Sequence, residues 1–215
     1  MKYFFSETDI KSTWDQVVSA FWQRYPNPFS THVLTEDVIF REVTADQRLL
    51  TRRLLTKTNR LPRWAERFFP SNLSRSVYIL EDSIVNLADR SLITFSWNLN
   101  HTTLMTVEER CVFREMQEQP NCTQLRREAW IFSRVYGFSR PIQEFGLARF
   151  KKNQVKAMKG LEYALANMHE ETPHWLRRDT VKEASGKAKE AAQAATETAK
   201  NLASAAGPKK AQQFV

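Results

Sequence analysis

Sulfur chemistry is nearly absent from this chain: its 215 residues include two cysteines, Cys111 and Cys122. Neither a disulfide framework nor a zinc-ligand spacing can be built from them. The four histidines are scattered, with no Cys, His or carboxylate cluster at ligand distance along the sequence, which argues against a metal site. Glycine is scarce, five in all, and no Gly-rich phosphate loop is present. There is no G-x-S-x-G elbow and no supported Cys–His or Ser–His arrangement, so the pattern points away from an enzyme, and no cofactor is expected. No apolar run approaches the roughly eighteen residues that a membrane-spanning helix needs. The N-terminal MKYFFSETDIK lacks an apolar signal region, and its two acidic residues do not suit a basic presequence, so an uncleaved start is expected.

What the chain does have is positive charge, +8 in total, with 42% hydrophobic and 26% charged residues. That surplus implies an anionic partner: a nucleic acid, a phospholipid surface or an acidic protein. The basic residues are spread over many elements, and no groove-reading motif or RNP-like aromatic pattern accompanies them, which disfavours nucleic acid. A basic nucleic-acid binder or a scaffold without a cavity is the alternative left open by composition.

Lys2–Phe5 reads as a short strand. Ser12 and Thr13 offer N-caps, with Asp15 and Gln16 placed to close a capping box. Trp14, Val17, Val18, Phe21 and Trp22 then follow the stripe of an amphipathic helix, which Pro26 and Pro28 end. From His32 the period changes to two. Strands are predicted over Val33–Val43, Leu49–Thr58, Ser76–Val85, Ser91–Asn100, Met105–Glu115 and Thr123–Phe132. The alternation is clearest where Ile93, Phe95, Trp97 and Leu99 interleave with Thr94, Ser96 and Asn98. Short connections between the later strands call for an antiparallel meander, with Gln117–Asn121 as its last turn. A helix of about 29 residues, about 43 Å long, is predicted from Pro141 to His169, with Phe145, Ala148, Val155, Met158, Leu161, Leu165 and Met168 near one side.

Residues 181–215 hold eleven alanines, six lysines and three glutamates, and their Ala-based stripe offers too little apolar area for a core. Two units are therefore expected: a folded domain over 1–172 and an Ala/Lys/Glu-rich, weakly helical or disordered tail over 173–215.

The stretch Leu54 to Pro70, LLTKTNRLPRWAERFFP, concentrates the chemistry. Lys57 and Arg60 follow a strand-like run, and Pro62 opens a short helical turn. Leu61, Trp64, Ala65 and Phe68 share one side of that turn, and Phe69 adds a second ring. Two readings stand here: a site where an anionic head meets an apolar body, or a solvated basic loop over ordinary core aromatics. Arg149, Asn153 and Lys156, at i, i+4 and i+7 of the long helix, form one polar stripe, again either a site or a solvated face. Arg24 suits the last turn of the first helix, where a cation favours the helix dipole.

An early helix, a curved seven-stranded antiparallel sheet and one long C-terminal helix define an α+β helix-grip arrangement. One sheet wrapped on one helix leaves an elongated apolar cavity along its concave side, the usual place for a ligand.

Four runs carry a resemblance: WDQVVSAFWQRYPNPFSTHVLTEDV, LLTRRLLTKTNRLPRWAERFF, RREAW and EFGLARFKKNQVKAMKGLEYAL. In order and spacing they closely resemble the PRELI family over about residues 1–170. The resemblance implies a phospholipid-transfer protein of the mitochondrial intermembrane space that moves phosphatidic acid between membranes in support of cardiolipin synthesis. The lipid is cargo rather than cofactor. It also implies transient, peripheral contact with mitochondrial membranes and a small twin Cys-x9-Cys helical-hairpin protein as heterodimer partner, with no nucleic acid involved. Arg24, His32, Lys57, Arg60, Arg149, Asn153 and Lys156 would form the head-group set, and Leu61, Trp64, Phe68 and Phe69 a membrane-docking lid. Some relatives carry Lys where Arg60 and Arg149 stand here, which leaves head-group charge better defined than head-group geometry.

Overall fold

The computed structural model describes residues 1–58 and 76–169. Arg60 and the lid residues Leu61, Trp64, Phe68 and Phe69 lie outside the described residues, as does the 173–215 tail.

The described elements are β1 (Lys2–Ile10), α1 (Trp14–Gln23), β2 (Val33–Val43), β3 (Arg48–Thr58), β4 (Ser76–Asn86), β5 (Ser91–Asn98), β6 (Thr106–Met116), β7 (Gln119–Phe132) and α2 (Ser139–His169). All seven strands form one antiparallel sheet in the order β1-β7-β6-β5-β4-β3-β2. The meander is as the short connections require, and β1 returns to pair with β7, the last strand.

Local chemistry explains the boundaries. Thr13 caps α1 in a reciprocal box with Gln16. The apolar stripe of α1 buries Trp14, Val17 and Phe21 fully, with Val18 and Trp22 at the margin of the same core. β1 runs beyond the predicted Phe5, to Ile10, because pairing with β7 rather than its own polar sequence extends it. The last hairpin turns in two residues, Gln117–Glu118, and Pro120–Cys122 form a bulge. Cys111 therefore faces Arg127, whereas a tight turn centred on Gln117–Gln119 with no bulge would set it near residue 125. A shift of two positions preserves which face each side chain occupies. On α2, Ala148, Val155 and Met168 prove solvent-exposed; the buried apolar side chains are Ile142, Phe150, Leu161, Ala164 and Leu165.

Strand register orders the concave face into rows. Val85, Leu92, Phe113 and Leu125 form one apolar row, packed by α1 and the C-terminal half of α2. The next row is Thr51, Ser83, Thr94, Cys111 and Arg127, followed by Arg53, Glu81, Ser96 and Glu109. Leu55, Ile79 and Asn98 come next, and Lys57 with Val77 lies at the rim. The N-terminal half of α2 rests on β7 and β1 through Phe150, Phe4, Ile131 and Met105. Between these two contacts α2 bridges open space. Leu54, Leu80 and Trp97 lie on the convex face, where they form a second apolar cluster with Ile39, Tyr78 and Leu99.

Candidate functional site

The space under α2 is a cavity of about 260 Å³ lined from both sheet and helix. Its apolar lining includes Leu55, Val77, Ile79, Val107, Phe145 and Met158. Five of the six described head-group candidates, Arg24, His32, Lys57, Arg149 and Asn153, line this one cavity. Lys156 does not line it, but its charge acts on His32.

His32 and Lys57 meet because β2 begins where β3 ends. Thr58 N–H donates to the His32 carbonyl at 2.8 Å, and Val33 faces Lys57 across the ladder. The i, i+4, i+7 stripe on α2 then brings Arg149, Asn153 and Lys156 toward that corner. Burial, followed by Lys57, Lys156 and Arg149, pushes His32 down to about 4, so its imidazole is neutral at physiological pH. Burial also lowers the Arg149 guanidinium below its ordinary value. Among the described residues no carboxylate lies within ion-pair distance of Lys57 or Lys156. A corner with three cations converging on a neutral imidazole is built for an anion with several acceptor oxygens.

Deeper in, the cavity wall is ionic, which the sequence reading missed. Arg24 Nη2 donates to Glu81 at 2.9 Å, and Arg53 Nε donates to the other oxygen of Glu81 at 3.0 Å. Arg53 also pairs with Glu36 and is 1% exposed. Burial alone would raise the Glu81 carboxyl; Arg53 and Arg24 overcome it and hold the group at about 2. Burial would lower Arg24, but the attraction of Glu81 raises it above its ordinary value. Arg24 also stacks on Phe21 with 3.9 Å to the ring centroid. Its Nε is buried without a hydrogen-bond partner among the described residues. Beside this network, Arg127 Nε lies 3.1 Å from Glu109, which also accepts from Gln154 at 3.0 Å. Cys111 donates to the same carboxylate at 3.4 Å, and burial followed by Glu109 pushes the thiol up to about 12.

One signal for these groups was available. Thr51, Arg53, Leu55 and Lys57 alternate along one strand face, as do Val77, Ile79 and Glu81. A face carrying both leucine and arginine looks like solvent with occasional apolar contact, when it is the wall of a cavity. Among the described residues no group of three or more His, Cys, Asp or Glu is arranged to hold a metal ion, and no helix is long and apolar enough to cross a membrane.

Fold and site together define a helix-grip protein whose amphipathic cavity opens at a cationic corner. Two solved structures share the fold. A protein from Thermus thermophilus superposes with a TM-score of 0.53 at 14% identity, covering 79% of this chain and 100% of that one. The Zhui aromatase/cyclase from a Streptomyces species gives 0.53 at 9% identity, covering 79% and 96%. The chain belongs to the PRELI-like family, whose model matches residues 15–172. It is similar to PRELI domain-containing protein 1, mitochondrial, of Bos taurus, 60% identical over 99% of this chain and 97% of the relative. It is also similar to Protein UPS1, mitochondrial, of Saccharomyces cerevisiae, 31% identical over 72% of this chain and 87% of that protein.

Proposed function

We propose that this protein extracts phosphatidic acid from one mitochondrial membrane and delivers it to the other across the intermembrane space, supporting cardiolipin synthesis. The protein is mitochondrial, in keeping with the names of its relatives. The observation that carries the reading is the cationic corner of His32, Lys57 and Arg149 at the opening of an apolar cavity.

A phosphate monoester bears up to two negative charges and needs several donors when it leaves water. Lys57, Arg149 and Lys156 supply charge, and Asn153 and the neutral His32 supply directional hydrogen bonds. The acyl chains run under α2 against Leu55, Ile79, Phe145 and Met158. Exposing two chains of about thirty methylenes to water costs on the order of 24 kcal/mol, so the protein docks on a bilayer before the lipid moves.

The cargo leaves unchanged. Cys111, pushed up to about 12, is no nucleophile at physiological pH, and Glu81 is held ionised by two arginines, which leaves it no proton to exchange. A small twin Cys-x9-Cys helical hairpin completes the assembly as heterodimer partner.

Lys57→Glu tests the reading. Losing one charged hydrogen bond costs about 1.5–3 kcal/mol, roughly 10- to 150-fold in affinity, and the introduced repulsion adds to it. The folded variant is expected to lose short-chain phosphatidic-acid capture and liposome-to-liposome transfer, while the wild-type protein co-purifies with phospholipid. Normal capture by the variant makes Lys57 an ordinary surface charge.

A further inference from the structure

Between β7 and α2 the chain passes through Ser133-Arg134-Val135-Tyr136-Gly137-Phe138. The antiparallel register fixes where this loop stands. Phe132 faces Thr106 at the start of β6, and Ile131 faces Lys2 at the start of β1. That is the end of the sheet at which β3 finishes with Lys57 and Thr58 and β4 begins. The loop therefore rims the same end as the cationic corner, on the opposite side of the sheet.

Its surface is unlike an ordinary connection. Tyr136 is 99% exposed and Phe138 43%, flanked by exposed Arg134 and Arg140 with no acidic residue from 133 to 140. The loop is preformed rather than loose. Gly137 adopts φ +73°, a left-handed turn open to glycine without strain, and Phe138 N–H donates to the Val135 carbonyl at 3.1 Å. Ser139 Oγ donates to the Ser133 carbonyl at 2.7 Å, and buried Gln143 donates to Ser139 Oγ at 2.8 Å. The next turn of α2 carries Ile142 and Phe145, which line the cavity. Apolar exposure continues onto the convex face through Met1 and Tyr3, the latter in a tilted ring contact with Trp130 at 5.8 Å, while Arg134 lies over Phe132.

We infer that this turn is a second membrane-docking tip, which seats Tyr136 and Phe138 among the head groups of an anionic bilayer while Arg134 and Arg140 pair with lipid phosphates. The inference rests on the lipid-transfer reading and gives the mouth a fixed foot in addition to any lid. Tyrosine at the interfacial level keeps its ring against apolar matter and its hydroxyl in water, and basic residues beside it gain from the negative surface. A rigid turn loses little conformational freedom on docking, so its contacts go into binding.

The test uses the full chain in three forms, wild type, Tyr136→Ser and the double Arg134→Glu, Arg140→Glu. Flotation with vesicles of phosphatidylcholine plus cardiolipin is compared with pure phosphatidylcholine, and capture of short-chain phosphatidic acid is measured without vesicles. Tyr136→Ser is expected to weaken flotation roughly tenfold through lost aromatic burial. The double reversal is expected to remove the preference for cardiolipin vesicles, at about fivefold for each cation lost. Capture stays at the wild-type level in both. In a Tyr136→Cys protein carrying an environment-sensitive dye, emission shifts blue when cardiolipin vesicles are added. Unchanged flotation with intact capture overturns the tip and leaves the transfer reading standing. A dye shielded by a bound protein before any vesicle is added also overturns it, making the loop a protein interface. If wild type floats through position 136 but carries no phospholipid, the tip stands and the transfer reading falls.

Discussion

Arg24 and Glu81 are joined at 2.9 Å within the cavity wall, 57 positions apart in sequence, and the same carboxylate also holds Arg53. The cavity thus contains its own anion, placed where Arg24 would otherwise face apolar space. Under the proposed function, a lipid phosphate entering from the Lys57 corner would meet Arg24 already neutralised, and Glu81 would repel it from going deeper. On that reading, electrostatics keeps the head group at the corner.

Glu81 stabilises the fold in a defined pH window. Its folded value, about 2, is below the ordinary 4.5, so its contribution is complete above about 4.5 and is lost as pH falls from there through about 2. Glu81→Gln leaves two arginines without their shared anion, at a cost of about 3–5 kcal/mol. At neutral pH its thermal midpoint should drop on the order of 10 °C, and the variant should lose less further stability than wild type between pH 5 and pH 3. Circular-dichroism melts decide it; a wild-type midpoint at neutral pH would show the network to be energetically idle.

His32 gives an independent reading of where the phosphate sits. Its folded value near 4 lies below the ordinary 6.5, so the neutral ring favours the folded state above about 6.5, an advantage lost as pH falls toward 4. A bound phosphate reverses the local field and favours the imidazolium. Short-chain phosphatidic acid should therefore raise the His32 titration midpoint followed by NMR of its ring protons. If lipid binds and that midpoint stays put, the head group lies elsewhere.

At Gly146 α2 packs closely over Met105 and Ile131. A Cβ there meets the Met105 sulfur and lies 2.9 Å from Ile131 Cγ2, and Ile131 is fully buried. Alanine gains about 1 kcal/mol of helix propensity, and overpacking costs about 1–3 kcal/mol. Gly146→Ala should lower the denaturant midpoint modestly and displace Met105, which lines the cavity, reducing lipid uptake. Adding Met105→Ala should restore uptake. Full uptake by the single variant would mean that α2 shifts freely.

Both cysteines should be reduced and silent. Cys111 faces Arg127, and Cys122 sits in the bulge opposite no residue. Alkylation without reductant should label two thiols in denaturant and react slowly with the native chain, most slowly at Cys111. A Cys111–Cys122 disulfide recovered by mass spectrometry contradicts the register.

Much of the fold could be read because alternation and helical stripes survive in the sequence. Strand bounds at Val33–Val43 match, and Thr58, Ser76, Ser91 and Phe132 mark strand ends as expected. Where the reading failed, the missing information lay in tertiary structure. Ser6 to Asp9 look like loop until β7 supplies their hydrogen bonds, and the bulge at Pro120–Cys122 has no one-dimensional signature. The candidate site divides similarly. Arg149, Asn153 and Lys156 were legible because a helix brings i, i+4 and i+7 together, whereas Glu81 and Arg53 are partners only through the pairing of β3 with β4. Their charges resemble a solvent face because nothing local records that the concave side is enclosed.

The rows across the concave face have one further consequence. Each central strand has one end in solid packing, at Val85, Leu92 or Phe113, and the other beside unfilled space, at Ile79, Asn98 or Val107. A conservative replacement should therefore change its meaning along the length of the same strand, threatening survival of the fold at one end and altering only the choice of passenger at the other. Sequence drift can remodel the berth while the keel stays as it was.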